Sequence, residues 1–211
     1  MNININSISK YINSECVLNS VSYVFEPGKI YGIYGKNGSG KTMLLRAIAG
    51  LIKTDSGTIE YNGKILHKDL DYLPDTGIII ENIQFWKMYS GYENLRMLAS
   101  INQNISEDEI RDIMSYFGLD PLSKKKVSKY SLGMRQKLSI CQALMEHPHI
   151  LLLDEPTNAL DQSSISLFRH RLLEDKSRNT IIIFTSHNQE DIELLADEII
   201  HIEDGRIKEH R

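Results

Sequence analysis

The stretch Gly35-Lys-Asn-Gly-Ser-Gly-Lys-Thr42 decides the fold. Its pattern, a glycine, four residues and then Gly-Lys-Thr, marks a loop that wraps phosphate groups. Lys29-Ile-Tyr-Gly-Ile-Tyr34, just before it, is short and rich in β-branched and aromatic residues, as expected of a buried strand. Met43-Leu-Leu-Arg-Ala-Ile-Ala49, just after it, is a strong helix former that Gly50 closes. Strand, loop and helix thus occur in the order a phosphate cradle needs. Backbone N–H groups turn toward one point where Gly35, Gly38 and Gly40 carry no Cβ. The new helix adds about half a positive charge at its N-terminus. The whole run Gly35, Lys36, Asn37, Gly38, Ser39, Gly40, Lys41 and Thr42 is expected to line a nucleoside triphosphate. Lys41 would reach the β- and γ-phosphates, and the Thr42 hydroxyl would hold Mg²⁺.

The 211 residues suffice for a sizeable core, and 41% hydrophobic with 25% charged residues is the balance of a soluble globular protein. A formal net charge of −4 argues against nucleic acid as a partner. Cys16 and Cys141 sit in unrelated apolar contexts and read as small core residues rather than a disulfide, which suits a reducing compartment. The N-terminal run MNININSISK lacks the pattern of a secretion signal, and no stretch reaches about 18 uninterrupted apolar residues. The expectation is a cytoplasmic protein, brought to a membrane surface only by a partner.

Residues 1–34 alternate apolar and polar positions around turns, so antiparallel strands are expected to open the fold. Asn62-Gly63 predicts a small β-ribbon over 58–66, and Ile78–Ile80 a further short strand. From about Gln84 to His147 the periodicity becomes helical, with Ile110, Ile113, Met114 and Phe117 on one face and a capping box at Ser106 and Glu109. The basic run Lys124–Lys126 reads as a solvated loop. The α/β pattern returns with His149–Leu153, a helix carrying Ile165, Phe168 and Leu172, the strand Thr180–Thr185, a helix carrying Ile192 and Leu195, and a hairpin turning at Asp204-Gly205. One α/β domain over 1–211 is expected, with core segments 1–83 and 148–211 around a helical subdomain at 84–147.

Asp154-Glu155 ends a strongly apolar strand, where open α/β sheets place their ligands. Asp154 would hold Mg²⁺ through its water shell, and Glu155 would polarise the water that attacks the γ-phosphate. His187 ends another apolar strand, either touching the γ-phosphate or merely neighbouring a helix N-cap. Ser131 and Gly133, at the start of a helix carrying Leu138, Cys141 and Met145, offer either a second anion site or a plain cap.

Taken together, these elements make the chain resemble an ATP-binding cassette (ABC) ATPase of a transporter over essentially its whole length. GKNGSGKT at 35–42 is similar to Walker A, and HILLLDEP at 149–156 to Walker B with its following glutamate. Asn158–Asp161 resembles the D-loop, His187 the switch histidine, and YSLGMRQKL at 130–138 the signature motif. The resemblance implies a P-loop NTPase core of the ABC type, with a mixed central sheet, an N-terminal antiparallel part and the helical insertion. It also implies ATP and Mg²⁺ as cofactors and ATP hydrolysis as the activity. Two cassettes would sandwich ATP, with Ser131 and Gly133 facing the partner's Walker A, and a separate permease would sit in the membrane. Tyr11 is similar to the aromatic that stacks on adenine in these proteins, and Asp161 would join the nucleotide site.

In the signature, Leu132 and Met134 replace the usual first glycine and glutamine, as in cassettes serving bacitracin, lantibiotic or drug export and immunity. Aligning Gly77-Ile-Ile-Ile-Glu-Asn82 with that subgroup puts Glu81 at the Q-loop position, as a metal or water contact, with Asp75 and Gln84 as fallbacks. Phe85-Trp-Lys-Met-Tyr89, just after it, offers either anchors for a permease helix or core packing. The resemblance therefore implies a peripheral subunit on the cytoplasmic face of the membrane, powering export of an antimicrobial peptide or related drug. The alternative is a soluble cassette acting on ribosomes or DNA.

Overall fold

The computed structural model describes residues 1–81, 83–187 and 189–210. Asn82, which closes the Gly77–Asn82 stretch, lies outside the described residues.

β1 (Ile3–Ile12) and β2 (Glu15–Phe25) form a hairpin, followed by β3 (Ile30–Tyr34) and α1 (Lys41–Ala49). α1 stops at Gly50, whose φ of +82° a side chain would resist. β4 (Ser56–Tyr61) and β5 (Lys64–Ile65) turn on Asn62 and Gly63, both at positive φ, as the Asn-Gly pair requires. β6 (Thr76–Ile79) precedes the helical segment, made of α2 (Gly91–Asn102), α3 (Glu107–Tyr116), a 3-10 turn and α4 (Leu132–Leu144). β7 (Ile150–Asp154), α5 (Gln162–Ser177), β8 (Ile181–Thr185), α6 (Gln189–Leu195), β9 (Glu198–Glu203) and β10 (Arg206–His210) complete the chain.

The strands divide between two sheets. A four-stranded antiparallel sheet runs β2-β1-β4-β5, and a six-stranded sheet runs β10-β9-β3-β8-β7-β6. Every pairing in the larger sheet is parallel except the β9–β10 hairpin. The opening antiparallel strands are thus a separate sheet, not an edge of the central one.

β7 and β8 are apolar nearly throughout because both faces of the central sheet are covered. Alternation sends Leu151, Leu153, Ile182 and Phe184 to one core, shared with α2–α6. Ile150, Leu152, Ile181 and Ile183 go to the other, shared with α1 and the antiparallel sheet. The helical segment is anchored on the sheet edge where α4 crosses β6. A Cβ on Gly77 would lie 2.0 Å from the Ala143 carbonyl, so only glycine permits that approach. Its helices begin with two capping boxes: Ser106 with Glu109, as expected, and Ser90 with Glu93. Cys141 is buried, Cys16 is half-buried, and both are free. Phe85 is buried whereas Trp86, Met88 and Tyr89 are exposed, so that aromatic run is divided between core and surface.

Candidate active site

The site forms where β3, β7 and β8 end side by side, because parallel strands deliver their C-terminal residues to one edge. Gly35–Gly40 follows β3, Asp154 ends β7 with Glu155 just beyond it, and Thr185 ends β8 two residues before His187. Gly40 adopts a φ of +107°, and a Cβ there would sit 2.7 Å from the Val17 carbonyl. At Gly38, φ is +80° but a Cβ would meet nothing within 4 Å.

Two atoms of the loop fit a phosphate chain. Lys41 is buried, and its Nζ donates to the carbonyls of Gly35 (2.7 Å) and Lys36 (3.2 Å), with no ion-pair partner among the described residues. A buried ammonium satisfied by carbonyls alone is a costly arrangement that an anion would relieve. Ser39 Oγ is buried and has no hydrogen-bond partner among the described residues. Beside the loop, a cleft of about 460 Å³ is bounded by Gly35, Lys36, Asn37, Ser186 and His187.

Asp154 accepts hydrogen bonds from Thr42 Oγ1 (2.8 Å) and Thr185 Oγ1 (2.6 Å). The oxygens of Thr42 and Asp154 therefore lie together, as a hard cation shared with phosphate oxygens requires. Among the described residues no group of three or more His, Cys, Asp or Glu side chains could cage a metal alone. Thr185 also accepts the Glu155 backbone N–H (3.0 Å). This buried threonine joins both acidic residues and was not anticipated. Its one signal was a polar residue closing an otherwise apolar strand.

Glu155 is held with φ at +47°, a sparsely populated conformation for a non-glycine residue. His187 Nδ1 lies 2.6 Å from Glu155 Oε2, and the His187 backbone N–H donates to the same oxygen at 3.3 Å. The structure thus brings Lys41, Thr42, Asp154, Glu155 and His187 to one edge of the sheet.

The remaining candidates lie around it. Ser131 caps α4, its Oγ accepting the Met134 N–H (3.1 Å), and among the described residues neither Ser131 nor Gly133 bonds to 35–42. α4 leans instead on the segment after Glu155. A Cβ on Gly133 would sit 2.8 Å from the Ala159 carbonyl, and Gln136 Nε2 donates to the Pro156 carbonyl at 2.8 Å. Asp161 caps α5 through the Ser164 N–H (2.8 Å) and lies 3.4 Å from Lys137 Nζ. Hydrogen bonds from Ser163 and Ser164 hold its carboxyl far below the usual carboxylate range. Tyr11 is exposed on β1, paired across the hairpin with Cys16, whose neighbour Val17 abuts Gly40. Asp55 fixes that end of β1, accepting from the Tyr11 N–H (2.7 Å) and Lys10 Nζ (3.1 Å).

Glu81 lies two residues past β6, at positive φ, ion-paired with Arg46 of α1. Of its fallbacks, Gln84 lines a groove with Glu81 beside α4. Asp75 precedes β6 and pairs with His149, at the opposite end of the parallel strands from Asp154. Strand direction keeps Asp75 from the site.

The ABC transporter family profile matches residues 18–158. The chain is 46% identical over 206 residues to the ABC transporter ATP-binding protein YybJ of Bacillus subtilis (strain 168), covering 98% of this chain and 94% of that one. It is 34% identical to the lantibiotic transport ATP-binding protein SrtF of Streptococcus pyogenes, over 97% of this chain and 88% of that protein. It is 37% identical to the bacitracin transport ATP-binding protein BcrA of Bacillus licheniformis, over 96% and 67%. A solved ATP-binding subunit of an ABC transporter superposes with a TM-score of 0.89 at 26% identity, covering 100% of this chain and 90% of that one. A dimeric bacterial cassette shares the fold at a TM-score of 0.85 and 19% identity, covering 99% and 97%. The family match and the relatives together show that the chain belongs to the ABC transporter family, as an ATP-binding ATPase cassette.

Proposed function

We propose that this cassette powers a separate membrane permease that exports, or confers immunity to, an antimicrobial peptide or related drug. The observation that carries the site assignment is the joining of Thr42, Asp154, Thr185 and Glu155 in one hydrogen-bonded line beside a buried Lys41 that has only carbonyl partners among the described residues. In this reading Lys41 draws charge from the β- and γ-phosphates as the bond to the γ-phosphate breaks. Glu155 orients and polarises the attacking water, and His187 holds Glu155 in place. Thr42 and Asp154 would hold Mg²⁺, which would neutralise phosphate charge. Lys36, Asn37, Ser39 and the loop glycines wrap the phosphates, and Tyr11 stacks on the adenine.

Among the described residues Ser131 and Gly133 make no bond to the phosphate loop of their own chain, which leaves them free to serve a second cassette across an ATP sandwich. Asp161, tied to α4 through Lys137, would pass the state of Glu155 to that interface. The placement of α2–α4 between β6 and β7 supports the division into a core (1–83 and 148–211) and a helical subdomain (84–147). Exposed Trp86, Met88 and Tyr89 are the anchors offered to the permease. Among the described residues no helix is long and apolar enough to cross a membrane. In this reading the permease supplies the membrane path and the cassette sits peripherally on its cytoplasmic face. The peptide or drug cargo is supported by the relatives named for lantibiotic and bacitracin transport and by the YSLGMRQKL signature.

Size-exclusion chromatography of Glu155→Gln tests the sandwich. With ATP it should elute at twice the mass of the 24.2 kDa chain and with ADP as a monomer. Elution as a monomer under both conditions sinks it.

A further inference from the structure

Thr42 and Arg46 stand four residues apart on α1, and so share one helix face about one turn apart. Thr42 reaches Asp154 at the end of β7, and Arg46 reaches Glu81 beyond the end of β6. β6 and β7 are parallel, with Ile79 opposite Leu153. Glu81 is two residues past Ile79, as Glu155 is two past Leu153. The same edge therefore carries three carboxylates, those of Asp154, Glu155 and Glu81, around a loop built for a polyanion. Asp154 has two hydroxyl donors, and Glu155 has His187. The Glu81 side chain is 57% exposed, and the cation paired with it is Arg46, itself 27% exposed.

We propose that Arg46 is a positioning residue that neutralises Glu81 and holds its carboxylate away from the Thr42–Asp154 oxygens, so that a glutamate is tolerated beside the triphosphate. The inference rests on the assignment of ATP to the Gly35–Thr42 loop. It extends that assignment to a residue no phosphate contact would identify. One uncompensated charge beside the phosphate loop, in a partly wet site, is worth on the order of a fivefold change in affinity. Salt weakens the effect.

The test is ATP affinity by isothermal titration calorimetry in EDTA at low ionic strength, so that no metal mediates. Arg46→Gln should weaken binding about fivefold, Arg46→Lys should stay within twofold of wild type, and Arg46→Gln/Glu81→Gln should return to within twofold. Glu81→Gln alone should bind at least as tightly as wild type, and it reports even where Arg46→Gln folds poorly. An undiminished affinity for Arg46→Gln, an equal loss in the Glu81→Gln background, or weaker binding by Glu81→Gln alone would each overturn the proposal. A parallel Mg²⁺ titration separates it from the assignment of Glu81 as a metal contact. If Glu81→Gln needs the same Mg²⁺ concentration as wild type, that assignment falls, while the EDTA series still decides the role of Arg46. If Lys41→Ala binds ATP normally, the loop assignment itself fails.

Discussion

His187 Nδ1 lies 2.6 Å from Glu155 Oε2, and the backbone of the same histidine grips that oxygen as well. A carboxylate gripped twice by one residue has little freedom to rotate. Glu155 additionally sits in a strained backbone conformation that its neighbours must maintain.

The histidine is thus expected to act on hydrolysis through the glutamate. Glu155→Gln should lower kcat about a thousandfold, and His187→Ala about a hundredfold, with Kd for ATP within threefold of wild type in both. The double variant should be no slower than Glu155→Gln, because the two residues work as a unit. Phosphate-release kinetics with a nucleotide titration check this. Losses that multiply in the double variant would mean that His187 acts on the phosphate independently.

Thr185 offers a second check. Its hydroxyl serves Asp154 and the Glu155 N–H at once, and it is fully buried. Thr185→Val keeps the shape and strands both partners, at a cost of about 1–3 kcal/mol. Thermal melting should fall by roughly 2–12 °C for a chain of this length. Hydrolysis should fall more than ATP affinity, since the loop itself is untouched.

How far the sequence reaches into this site follows from the range of each interaction. Lys41, Thr42 and the glycines are legible as candidates because the pattern of such a loop lies in residues adjacent in the chain. Asp154 and Glu155 were legible because a buried strand announces itself and its end. Thr185 and Arg46 were not, because their roles depend on β8 lying next to β7 and on which face α1 turns to the sheet. Neither fact is local. The two readings of His187 stayed open until the fold set it against Glu155, 32 residues earlier. The antiparallel strands were visible too, but only packing shows that they close on themselves as a second sheet over α1.

Asp161 should make α5 sensitive to acid. Its folded pKa lies far below the unfolded value, so its contribution to stability is complete above the ordinary aspartate range. That contribution is lost as pH falls from the unfolded value toward the folded one. Asp161→Asn keeps a capping acceptor without the titration, and Asp161→Ala removes both. Melting curves from pH 7 to pH 3 should show wild type and Asp161→Asn converging as pH drops. Asp161→Ala should be the least stable at neutral pH. A constant gap between wild type and Asp161→Asn across the range would refute the charge contribution.

Two glycines of the phosphate loop should separate folding from binding. At Gly40 an added Cβ meets the Val17 carbonyl at 2.7 Å, so Gly40→Ala must push apart the loop and β2. It is expected to lose both stability and ATP binding. At Gly38 the added Cβ meets no protein atom within 4 Å, and the folded protein has only the left-handed backbone to resist it. That costs roughly 1–2 kcal/mol. Gly38→Ala should therefore remain folded, with melting lowered by a few degrees. The loop assignment sets a phosphate against this backbone, so the added methyl group should raise Kd for ATP at least tenfold. Calorimetry beside thermal melting distinguishes the two cases. A Gly38→Ala protein that binds ATP as wild type would show that the open space above the loop is not where the phosphates lie.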